Sequence, residues 1–173
     1  RFIDGFVVLL ASTVAHAPAL ADRIPGCQFL ALVTGDENTY FERSFEALGV
    51  SEADRAAVPD AAATAEFKAL MREAAASGSY ARMLAVLTVA EWSYLSWADR
   101  VLALPGYRRP ADFWHAEWID LHSGPYFGSV VGWLRRQLDA AGAGLTDAER
   151  ERVRADFARA VALEKAFFDH AWG

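Results

Sequence analysis

Three carboxylates sit where helical periodicity predicts burial, and through them this chain could do chemistry. Glu91, within "AEWSYLSWADR", falls on the stripe that Leu84, Leu87, Thr88, Leu95, Ala98 and Leu102 form at about 100° per residue. Glu164 interrupts a second stripe made by Val153, Phe157, Ala160, Val161 and Phe168. Asp4 lies among Phe2, Ile3, Phe6, Val7 and Val8, in a segment apolar nearly all round. A carboxylate in such a place costs free energy unless it is paired or protonated. Grouped in an apolar pocket, carboxyls acquire raised and mutually displaced pKa values, so that one gives a proton while another accepts one. The simpler reading makes each a rim residue, its stem buried and its head in water. Phe67, Tyr94, Trp118 and Tyr126 could line such a pocket and stack on a flat ring, although aromatic residues at helical spacing more often form plain core.

Other chemistries find less support. Of His16, His115, His122 and His170, only His115 and His122 share a helix face, and neither belongs to an ExxH or HExxH motif. A dinuclear carboxylate bundle would want two Glu-x-x-His motifs, so no metal site and no cofactor are expected. His122 is a second candidate proton carrier, against the plainer role of a structural hydrogen bond. Phosphate-cradling glycine loops and a GxSxG nucleophile elbow do not occur.

The 173 residues fit a single domain, 1–173. Hydrophobic residues make up 54% and charged residues 23%, somewhat richer in apolar content than an average soluble domain, as a large interior or buried interface requires. Lys+Arg number 17 against 23 Asp+Glu, a net charge of -6. That balance offers no broad basic surface for nucleic acid or anionic lipid and suits a small uncharged or cationic ligand. Cys27 is the single cysteine, which excludes an internal disulfide and points to a reducing, cytoplasmic setting. No apolar run reaches the roughly 18 residues of a membrane span. "FVVLLASTV" followed by "AHA" imitates a signal peptide, but Asp4 and Gly5 interrupt the run, so a helix start is expected there instead.

Helical periodicity dominates and no period-2 strand stands out. Helices are predicted over 2–16, 18–24 and 27–48, the last stopped by Gly49, and then over a short segment capped by Ser51. Further helices are predicted over 62–76, 80–104, 110–122 and 125–141. Thr146 with Glu149 forms a capping box that opens the last helix, which runs to Trp172. The fold class is all-α, a multi-helix bundle of about seven or eight helices.

In this order and spacing, "FIDGFVVL", "SGSYARMLAVLTVAEWSYLSWADRVL", "WIDLHSGPYF" and "ALEKAFFDHAW" resemble the TenA/thiaminase II family over nearly the whole chain. The resemblance implies a heme-oxygenase-like bundle without heme, a homo-oligomer (dimer or tetramer), and usually a further helical segment before Arg1. It also implies salvage of thiamine breakdown products, by hydrolysis of the aminomethyl group of 4-amino-5-aminomethyl-2-methylpyrimidine with release of ammonia. Asp4 matches the aspartate that holds the aminopyrimidine edge, and Glu164 the glutamate that moves protons at the reaction centre. Tyr94 matches the tyrosine one turn past the family's nucleophile, and Phe67 falls where a stacking tyrosine is usual.

Departures from the pattern bear on mechanism. Ala90 stands where the better-known branch has its nucleophilic cysteine, and Cys27 is on the wrong helix to replace it. A tyrosine of the "WI" motif becomes His122, another becomes Val7, and Phe41 stands near the place where iron-binding relatives have a histidine. These losses resemble the cysteine-lacking branch, whose activities include deformylation or amidohydrolysis of related pyrimidines. The expectation is a C–N hydrolase with Glu91 and Glu164 as acid and base, and with Asp4, Tyr94, Phe67, His122 and Trp118 binding the pyrimidine. The main alternative is a small-molecule binder or assembly protein that keeps the pocket without the chemistry. An oxidase or oxygenase on the same bundle is a third reading. A role in transcription finds no support in an acidic chain without a basic recognition surface.

Overall fold

A computed structural model describes residues 2–172. In chain order its helices are α1 (Phe2–His16), α2 (Leu20–Leu32), α3 (Asn38–Ala47), α4 (Glu52–Ala57), α5 (Ala62–Ala76), α6 (Tyr80–Leu102), α7 (Phe113–Leu121), α8 (Gly124–Gly142) and α9 (Asp147–Trp172). A π-helical turn, Val33–Glu37, joins α2 to α3. Among the described residues there is no strand. The run from Met83 to Glu91 is buried at every residue, which a single-sided stripe would not produce; such a helix is enclosed by neighbours on all sides. Accordingly α6 is the axis of the bundle, with α9, α8, α1 and α5 packed around it.

Local signals set most of the boundaries. Ser51 Oγ accepts from the Asp54 amide at 3.1 Å while the Asp54 carboxylate accepts from the Ser51 amide at 3.0 Å. Thr146 and Glu149 repeat the reciprocal arrangement at the start of α9, each box satisfying two otherwise orphaned amides. Gly49 and Gly78, both at φ +66°, stop α3 and α5 in a backbone region that side-chain-bearing residues avoid.

Two expectations fail for tertiary reasons. The predicted break near Pro25 is absent, and α2 runs straight through it. Proline removes one helical hydrogen bond, but the next residue, Gly26, is where α2 presses against its neighbours. A Cβ there would stand 2.6 Å from Val14 Cγ2 on α1 and 3.0 Å from Trp133 Cη2 on α8. Burial of Phe29 one turn on adds to the packing that holds the segment helical. The second failure is the predicted buried face of α9: Val161 is 48% exposed, and Leu102 at the end of α6 is 41% exposed. The buried residues of α9 are Asp156, Ala160, Leu163 and Glu164. Asp156 is paired with Arg82 of α6 at 2.6 Å, which ties the two longest helices together and leaves that buried carboxylate compensated.

Replacing Gly26 by alanine tests the close approach. In an open helix the change gains about 1 kcal/mol; here Val14, stiff at its branched Cβ, meets the new methyl, and a loss of about 1–3 kcal/mol is expected in chemical denaturation.

Candidate active site

Next to the Glu91 end of the buried run of α6, the bundle leaves a cavity of about 360 Å³. Glu91 enters it from α6 and Glu164 from α9, with 7% and 5% of their surfaces exposed. A third glutamate, Glu37, reaches it from the last residue of the π-helical turn. A π turn takes in one residue more than an α turn, which rotates the next stretch of chain by about 100° against a continuous helix. Thr34, Gly35 and Asp36 stay exposed, whereas Glu37 is turned inward and half-buried.

Among the described residues nothing compensates these three acids. No hydrogen bond or ion pair contributes to the titration of any of them, and the residues lining the cavity include no lysine or arginine. Burial drives all three upward: Glu37 to about 7, Glu164 to about 8, and Glu91 well above the usual carboxylate range. On Glu91 the charges of Glu37 and then Glu164 add to the burial. The Tyr94 phenol is also raised, by burial first and then by all three acids. The cavity therefore holds carboxyls in unlike protonation states near neutral pH, the condition for passing protons in both directions.

Its walls are aromatic. Trp118 stacks on Tyr40 with centroids 5.3 Å apart and meets Tyr94 and Phe41 edge-on at 5.7 and 5.4 Å. Tyr40 donates its hydroxyl hydrogen to the Trp114 carbonyl at 2.7 Å, fixing α3 against α7. The His122 ring lies 4.1 Å from Trp118 and 4.8 Å from Tyr94. Burial lowers its pKa to about 4, only partly offset by the bond from Nδ1 to the Trp118 carbonyl at 2.8 Å. A carbonyl can only accept, so Nδ1 carries the proton and Nε2 is left as an acceptor.

Of the residues predicted for the site, Glu91, Glu164, Tyr94, Trp118 and His122 share this cavity. Asp4 does not: it is exposed on α1 and absent from the wall. It lies two residues before buried Phe6, about 200° round the helix, so Phe2 and Ile3 face the cavity instead. Phe67 is also absent from the wall; it is 1% exposed and packs edge-on behind Phe2 at 5.6 Å. Tyr126 is 45% exposed and lies elsewhere. Ala90 is on the wall, and Cys27 is exposed on α2. Phe41 is on the wall too, and among the described residues no group of three or more His, Cys, Asp or Glu side chains is arranged to hold a metal ion. Sequence reasoning missed Glu37; Gly35 inside a predicted helix was the one local sign of an irregular turn.

An all-helical bundle with an aromatic, acid-bearing cavity of this size has room for a small molecule and carries groups suited to proton exchange. The family model described as TENA/THI-4/PQQC family matches residues 2–173, and the chain belongs to that family. The crystal structure of a TenA family transcription regulator from Silicibacter sp. TM1040 has the same fold, with a TM-score of 0.79 at 20% identity over 98% of this chain and 76% of that one. The fold is the all-helical heme-oxygenase-like bundle. An aminopyrimidine aminohydrolase from Halalkalibacterium halodurans is 28% identical over 125 residues, which cover 72% of this chain. The match spans 55% of that relative's length.

The raised acids set a stability profile. A carboxyl whose folded pKa lies above its unfolded value binds more protons in the folded state, so stability falls as pH rises through the folded value. Above pH 6.5 or so His122 is neutral in both states. Between about pH 7 and 9 the melting temperature is therefore expected to fall, and Glu164→Gln to flatten the fall and to melt above wild type at the alkaline end.

Proposed function

We propose that the chain is a hydrolase of the aminopyrimidine aminohydrolase type, which replaces the amine of an aminomethyl group on a small heteroaromatic ring by hydroxyl, in thiamine salvage. The observation that carries this reading is the set of three uncompensated glutamates facing one aromatic cavity. Similarity to an aminopyrimidine aminohydrolase supports it. Trp118 and Tyr94 supply flat surfaces for the ring, and His122 Nε2 can accept from a ring amino group.

The reaction needs one base and one acid. Water oxygen bonds to the methylene carbon as the C–N bond breaks and its electron pair leaves with nitrogen. An ionised carboxylate takes the water proton and a carboxylic acid protonates the departing amine, so that R–CH2–NH2 and H2O give R–CH2–OH and NH3. Glu91, the most strongly held in its protonated form, is the donor to nitrogen. Glu164 also borders an outer groove with Ser93, Ser96 and Lys165, which suits it to exchange protons with solvent. With alanine at position 90 and Cys27 outside the cavity, no thiol of this chain can form a covalent intermediate there. An N-formyl derivative would be cleaved at its amide with release of formate. The same reading carries a cytoplasmic homo-oligomer, to which exposed Leu104 and Val161 would contribute apolar surface.

Ala90 and the exposed Asp4 also favour a second reading, a binding protein that keeps the cavity without turnover. Ammonia and formate release from 4-amino-5-aminomethyl-2-methylpyrimidine and its N-formyl derivative separates the two. Turnover by the wild type is expected, with Glu91→Gln and Glu164→Gln each lowering kcat/KM by about 10²–10⁴ while the ligand-induced melting shift is retained. A melting shift without either product selects the binding protein.

A further inference from the structure

Three carboxyls in one cavity cannot all carry charge while the site is occupied. With no basic side chain on the wall, each ionisation at close quarters raises the cost of the next. The groups facing one another are Glu37 from the π-helical turn, Glu91 and Tyr94 from α6, Glu164 from α9 and neutral His122 after α7. Tyr40, which feels Glu37, flanks them from α3.

Geometry separates Glu37 from the other two. Glu91 and Glu164 project from regular helices at positions that are almost wholly buried, whereas Glu37 comes from an irregular π-helical turn and keeps part of its surface exposed. The charges of Glu37 and Glu164 both push Glu91 toward its protonated form. Of the three, Glu37 is the one whose access to water favours the ionised form, and a negative charge there raises Glu91 further.

We propose that Glu37, delivered by the π-helical turn, is the ionised carboxylate of the working cavity: it pairs with a cationic group of the ligand and, in hydrolysis, takes the proton from the attacking water. The base role rests on the hydrolase reading; the pairing role does not. In the forward step the water O–H bond breaks as the C–O bond forms and the C–N bond breaks. The water proton moves to Glu37, and the nitrogen, held already protonated by the pairing, leaves as NH3 with the C–N electron pair, Glu91 supplying that proton where the amine binds neutral. Solvent exchange through Glu164 then returns both groups to their starting states.

Three measurements on the full chain test this. In a carbon-13 carboxyl titration of glutamate-labelled protein, the resonance that disappears in Glu37→Gln should titrate near 7, ahead of the resonances lost in Glu164→Gln and Glu91→Gln. If it titrates with surface glutamates, or after Glu164, the proposal falls. In melting experiments near pH 8, a 5-aminomethylpyrimidine should stabilise the wild type more than its neutral 5-hydroxymethyl counterpart. Glu37→Gln should lose that excess and keep the response to the neutral compound; an unchanged excess overturns the pairing. In turnover, Glu37→Gln should lower kcat/KM by about 10²–10⁴ and remove the acid limb near pH 7, with Glu37→Asp recovering part of the rate. Full turnover by Glu37→Gln overturns the base role. A wild type that releases neither ammonia nor formate ends the hydrolase reading and the base role with it, while the first two measurements still decide the pairing.

Discussion

Withholding water from carboxyl groups without giving them a counter-charge is the constraint on which this structure turns. Elsewhere the chain treats buried acids conventionally: Asp156 is as enclosed as Glu91, and Arg82 answers it from the neighbouring helix. At the cavity the answer is omitted. Glu37, Glu91 and Glu164 face one another across space walled by aromatic rings, and burial shifts all three toward the protonated form. A protein gains no stability from such an arrangement. Its consequence is chemical, a set of proton donors and acceptors whose states differ near neutral pH.

The bundle supplies the rigidity this requires. Because α6 is enclosed on all sides over Met83–Glu91, Glu91 has little freedom to swing toward solvent. The Arg82–Asp156 pair joins the same helix to α9, from which Glu164 projects. On the far side, Tyr40 pins α3 to α7 through the Trp114 carbonyl, and Trp118 and His122 stand on or just after α7. Each acid or aromatic wall of the cavity is thus held by an element with contacts of its own, as proton transfer over short distances demands.

Residues of the first helix show how a resemblance and a geometry can part. Asp4, which the resemblance implies would hold a pyrimidine edge, is exposed on α1 and absent from the cavity wall. Ala90, which the resemblance sets at the place of a nucleophilic cysteine, is on the cavity wall with a side chain that cannot attack. Glu37, which no motif announced, stands on the same wall, and on the proposed reading it addresses the ligand.

Much of the bundle was legible from local chemistry: caps at Ser51 and Thr146, the stop at Gly49, and the buried stripe of α6 with Glu91 in its middle. These follow from hydrogen-bond satisfaction and a fixed angle per residue, which act within a few positions of the chain. Periodicity could not say which apolar side of α1 would meet its neighbours, so Asp4, expected to be buried, lies exposed. Nor could it foresee that packing at Gly26 would carry α2 through Pro25, or that one extra residue in the turn at Val33–Glu37 would rotate a third glutamate inward. Those outcomes depend on contacts between segments distant in the chain, whose energies outweigh local preference and are fixed only when the helices pack.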